Sequence, residues 1–317
     1  MRTHQKLSAV ALAVFCPALY LGAGESKTAQ DSILRATFDL AAPRTREAQS
    51  YEMETRVITY APDGKRVNTD VLRLRLGCAP GQEADRYTCR KFTVQFGSAP
   101  EVAVPALADW TYMFRKTATG LDEKGQVFGI DHAKFEKLTD ANGQPLPADK
   151  AYFVYNTFID FHGFCNTFAE PTTGGKGIQD LKSIGQKIVH AAAFTEPPVN
   201  LGGNIAPGST FKNGEVTLEL KGLSLVDGAA CALLGFDSGQ SSFQMVVKPL
   251  PNLEVRAAGA SHYKGDIDVD LATRWVRKVV MDELVVAETT VPTLPNKIHA
   301  VLERHSVIRN VPPKAGE

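Results

Sequence analysis

Apolar and polar residues alternate with period two along most of this chain, beginning with Tyr51 to Tyr60 and Val67 to Leu76. Alternation of that kind turns one row of side chains toward a core and the other toward solvent, so it predicts half-buried β-strands. The two runs are separated by Ala61-Pro62-Asp63-Gly64, and an Asp-Gly pair between β-prone runs predicts a hairpin. Cys89 to Phe96 and Glu101 to Phe114 extend the pattern, with Phe92, Val94 and Phe96 sharing one face. A second set comprises Glu215 to Val226, the turn Asp227-Gly228, Ala229 to Phe236, Ser242 to Val247 and Leu253 to Tyr263. Asp266 to Leu271, Trp275 to Val291 and His299 to Val311 complete it. Neither face of the last run is uniformly apolar, which predicts an edge or two-sided setting.

The stretch between these sets reads differently. Pro147-Ala148-Asp149-Lys150 resembles a helix start, and Val154, Tyr155, Phe158, Phe161 and Cys165 follow at near-helical spacing. A second short helix is expected from Ile178 through Leu181 and Ile184 to Ile188. The chain therefore divides into a β-rich half over 31–146, a helical and loop connector over 147–203, a β-rich half over 204–311 and a loose tail over 312–317. The fold class is mainly β with a central helical segment: antiparallel meanders form either one large curved sheet or two packed halves. The single-sheet arrangement resembles, in architecture alone, the half barrel of periplasmic lipoprotein carriers; no residue motif carries that likeness.

Composition adds the compartment. The 317 residues are 44% apolar and 22% charged, a balance that belongs to globular proteins rather than disordered or multi-span membrane chains. Arg2, His4 and Lys6 precede an uncharged run from Leu7 to Gly24 that ends in small residues, the layout of a secretory signal cleaved near Gly24. A periplasmic or extracellular destination follows, and no later stretch approaches the roughly 20 apolar residues of a spanning helix. Removing residues 1–24 takes two basic side chains from a chain with 35 basic and 35 acidic ones, leaving it slightly acidic. Such a balance gives nucleic acid and anionic lipid no electrostatic hold.

With Cys16 inside the signal, Cys78, Cys89, Cys165 and Cys231 remain, an even number in an exported chain, which predicts two disulfides. Cys78 with Cys89 and Cys165 with Cys231 is the favoured pairing. The first would close a local turn-rich loop, and the second would tie the two halves of the chain.

Four segments invite a chemical reading. Tyr152 to Phe164 holds six Phe and Tyr residues in thirteen, and as a helix it is apolar nearly all round, hence core or the wall of an apolar pocket. Tyr152, Tyr155, Phe158, Phe161 and His162 would then line that pocket, with Asn156 and Asp160 among its few polar groups. Asp160 with His162 offers a base and its orienter, yet side chains two apart on a helix do not face one another. Ser261-His262 meets the same objection on a strand, where neighbours point to opposite faces, and no nucleophile elbow occurs. Asp266, Asp268 and Asp270 would line one strand face, but the EF-hand spacing fails at Leu271 and Arg277, so no metal is assigned. No cofactor motif is found. The leading expectation is an exported, non-enzymatic protein binding an apolar or lipid-like molecule. A hydrolase built on Asp160, His162, His262 and Asp266, and an interaction module of an envelope complex, are the alternatives.

Overall fold

The computed structural model describes residues 35–115, 126–172, 175–190, 195–196, 205–250 and 252–313. The signal-like segment 1–24 and the last residues of the tail lie outside these. Strands β1 (Gln49–Tyr60) and β2 (Arg66–Ala79) form the hairpin expected around Asp63-Gly64, and Gly64 turns the chain at a φ of 81° that a side chain would oppose. β3 (Asp85–Gln95) follows, flanked by β4 (Val102–Ala103) and β5 (Trp110–Phe114). Helix α1 spans Ala148–His162 and continues through a π-turn at Gly163–Thr167. The remaining strands are β6 (Lys187–His190), β7 (Thr195–Glu196), β8 (Thr210–Lys212), β9 (Val216–Val226) and β10 (Ala229–Asp237). β11 (Ser241–Leu250), β12 (Leu253–Asp270), β13 (Val276–Thr290) and β14 (Ile298–Val311) end the chain.

All fourteen strands belong to one open antiparallel sheet with the main path β4-β3-β2-β1-β14-β13-β12-β10-β9-β6. The two β-rich stretches are joined where β1 pairs with β14 over Ser50↔Val311 to Tyr60↔Val301. Leu253 to Tyr263 and Asp266 to Leu271, which read as separate strands, are one 18-residue strand. That strand carries two neighbours on a single edge: β10 beside Lys264 to Asp270, and β11 beside Leu253 to Ser261. The sheet forks at Tyr263, where Ser238 fills the gap by accepting from Tyr263 N–H at 2.9 Å and donating its own N–H to the Tyr263 carbonyl at 2.9 Å. The helix expected over Ile178–Ile188 is only a 3-10 turn at Ile178–Asp180, because Gly185 takes a φ of 84° and Lys187–His190 pairs with β9.

Helix α1 lies on one face of this sheet because it has few polar positions to offer water. Val154, Phe158 and Phe161 are fully buried, and Phe158 sits within 5.5 to 6.2 Å of the rings of Phe92, Trp110, Tyr112 and Phe135. Three ionic contacts pin the helix and its continuation. Lys150 reaches buried Asp70 on β2, Asp160 reaches Arg304 on β14, and Arg44 reaches Glu170 just after the π-turn. Arg44 also lies 4.4 Å over the Trp275 ring, so the segment before β1 is strapped to the same core.

The predicted disulfides are absent: Cys78, Cys89, Cys165 and Cys231 are free and buried. Register explains the first pair. Cys78 stands opposite Tyr87 and Cys89 opposite Leu76, so the two are diagonal neighbours. Diagonal Cα atoms are about 7–8 Å apart, beyond the span of an unstrained bridge. Cys165 sits in the π-turn near Arg44 and Cys78, whereas Cys231 lies on β10 beside Asp268 and Asp270. The fold brings neither expected pair together.

Candidate functional site

The aromatic segment that draws most attention in the sequence builds the interior. Tyr155, Phe158, Phe161 and His162 are buried, and Tyr152 alone among the five expected pocket residues reaches the surface, at 36% exposure. His162 is enclosed by the rings of Phe114, Tyr87 and Phe161. The Tyr112 hydroxyl donates to its Nε2 at 2.6 Å, and Nδ1–H faces Asn166 Oδ1 at 3.3 Å. Asn166 passes the chain of contacts on, donating to the Tyr87 hydroxyl at 2.9 Å and Glu170 at 3.3 Å. Burial drives the His162 pKa down to about 3, so the ring is neutral.

The four residues of the hydrolase reading are dispersed. Asp160 pairs with Arg304, His162 with Tyr112, His262 with Asp237 on the opposite, solvent-facing side, and Asp266 with Lys221. Asp268 accepts from the Ser224 hydroxyl and Asp270 pairs with Arg277, so each carboxylate of the row already has its own partner. No group of three metal-ligating side chains occurs among the described residues.

A different surface emerges from the sheet itself. Arg304, Glu283 and Tyr263 lie side by side on β14, β13 and β12 and face helix α1, for Arg304 Nη1 donates to Asp160 at 2.8 Å and Tyr263 packs on Phe164. Side chains two residues further along each strand share that face. The next row is Leu302, Val285 and Ser261, followed by Ala300, Ala287 and Gly259. Beyond these come Ile298, Thr289 and Ala257, while β11 adds Phe243, Met245 and Val247. None of these twelve side chains is charged.

Helix α1 does not cover these rows. Within β12–β14 every fully buried apolar side chain belongs to residues 267–281 or is Ile308; none lies in 282–305, and none in 241–260. Val285, Ala287, Ala257, Phe243 and Met245 are half-buried, and Ile298 is 48% exposed. Small residues, Ala257, Gly259, Ala287 and Ala300, stand among the larger ones. The Phe243 ring lies over Gly259 so closely that a Cβ there would meet Cζ at 2.4 Å. The opposite face of the same strands is charged, carrying Glu303, His262, His299 and Glu288 among exposed Leu284 and Val286.

The inner end of this face is polar. Arg304 is clasped between Asp160 and Glu283, all three nearly buried, and Tyr152 and Tyr263 feel the same charges. The coulombic pull of both carboxylates outweighs the desolvation of the Arg304 guanidinium and raises its pKa. Ser261 is only 5% exposed, yet its hydroxyl makes no hydrogen bond among the described residues, and neither does that of Tyr263. Two shallow surface depressions of about 460 and 380 Å³ occur: one beside Asp270 and Arg277, the other along Thr210, Lys212, Ser242 and Gln244 and reaching Phe243, Ala258 and Gly259, and no residue of α1 lines either. Sequence reasoning passed over the uncharged face because its residues are spread over four strands. The signal that marks it is alternation whose apolar set continues past the span one short helix can cover.

No family model and no curated protein matches the chain. Among solved structures, an outer membrane channel from Pseudomonas putida F1 aligns over 86% of this chain and 98% of its own at 9% identity. Its TM-score is 0.18, a superposition too loose to establish a shared fold. No helix among the described residues is long and apolar enough to cross a membrane.

Proposed function

We propose that this chain is an exported, non-enzymatic protein that binds an apolar, lipid-like molecule on the uncharged face of β11–β14. Export rests on the sequence of residues 1–24 alone, since no covalent cross-link adds to it. The observation that carries binding is the continuation of charge-free rows beyond helix α1. An alternating strand normally buries its apolar set, and contiguous apolar surface left in reach of solvent marks a contact site. The four dispersed acid and base residues lend the hydrolase reading no support.

Titration of the purified chain with the neutral fluorophore N-phenyl-1-naphthylamine tests the proposal. Saturable binding is expected, weakened tenfold or more by Ala287→Glu, which sets a carboxylate among the apolar rows. Ala258→Glu, on the opposite face of the neighbouring strand, should leave binding unchanged while circular dichroism shows both variants folded. Absence of saturable binding, or equal loss in the two variants, refutes the assignment.

A further inference from the structure

We infer that the bound molecule is an amphiphile whose head is uncharged and hydrogen-bonding, seated against Ser261 and Tyr263, with its tail along the apolar rows. This rests on the binding reading above and adds a direction and a head-group preference to it. Both hydroxyls project from β12 on the helix side, two residues apart, at the junction between the polar end and the apolar rows. The Ser261 hydroxyl has no partner among the described residues and stays within reach of solvent, so it is free to bond an incoming head. Tyr263 supplies a second donor and acceptor beside it, its ring held against Phe164 and Phe236.

Charge decides which head fits. Asp160 and Glu283 together outweigh the single guanidinium of Arg304 by one formal negative charge, and all three lie deep enough for that excess to be weakly screened. A carboxylate or phosphate head placed at Ser261 would meet that excess. A hydroxylated head meets two free hydroxyls and no repulsion. The tail then runs outward along Val285, Ala287 and Ala257, beside the Phe243 ring that lies over Gly259.

Displacement of the fluorophore by monoolein and by oleate at pH 8, both below their micellar concentrations, tests the inference. Monoolein should compete at least tenfold better. Tyr263→Phe and Ser261→Ala should each weaken monoolein by about three- to tenfold, the value of one hydrogen bond, and weaken oleate by less. Oleate competing as well as monoolein overturns the head-group assignment and leaves apolar binding standing. A fluorophore that never binds defeats the binding reading itself. A concentration-dependent dimer that excludes the fluorophore overturns both by placing a second copy on this face.

Discussion

His162 offers a measurement of how completely helix α1 closes the core. Its ring is fully enclosed and its pKa falls from 6.5 to about 3, chiefly because burial penalises the imidazolium. Between those values the unfolded chain holds a proton that the folded chain does not, so stability declines as pH drops through that window. The slope is about 1.4 kcal/mol per pH unit for one proton. From pH 7.5 to 4.5 the loss is roughly 2–3 kcal/mol, a large part of a typical domain's 5–15 kcal/mol. His162→Gln removes the titration while keeping an acceptor for the Tyr112 hydroxyl. Urea unfolding of both proteins at pH 7.5 and 4.5 gives the comparison, and the wild type should lose roughly 2–3 kcal/mol more than the variant. Buried carboxylates such as Asp160, raised by desolvation, titrate in both proteins and cancel in the difference. Equal losses in the two proteins would mean that water reaches His162 and that the helix is not sealed against the sheet.

Two further outcomes follow from the same core. Phe158→Ala, at a fully buried position ringed by four aromatic side chains, should cost about 3–5 kcal/mol in urea or thermal unfolding, and a loss under 1 kcal/mol would contradict the packing. Cys78, Cys89 and Cys231 have pKa values pushed by burial to about 12, 12 and 11, and Cys165 is raised as well, so native protein at pH 8 should resist N-ethylmaleimide. Mass spectrometry after denaturation without reductant should find all four alkylated; an unmodified pair would reveal a disulfide that this fold does not hold.

The sequence by itself determined the elements wherever local pattern and turn chemistry agreed. Asp63-Gly64 and Asp227-Gly228 mark hairpins that the structure contains, with Asp227 and Gly228 both at positive φ as such a turn demands. The near-helical spacing from Val154 to Phe161 places α1, and its all-round apolar surface already implies burial. Pairing across the chain was not legible. Cysteine count suggested two bridges, yet the register sets Cys78 against Tyr87 and Cys89 against Leu76, and composition does not reveal that register.

The fork at Tyr263 and the pairing of β1 with β14 likewise arise only when distant segments meet. So does the candidate site. Each strand separately announces an apolar row, but whether a row is covered depends on how far one 15-residue helix reaches across fourteen strands. Local periodicity sets which side chains face inward; the tertiary arrangement alone decides what stands opposite them, because burial is a property of the assembled layers and not of any one strand.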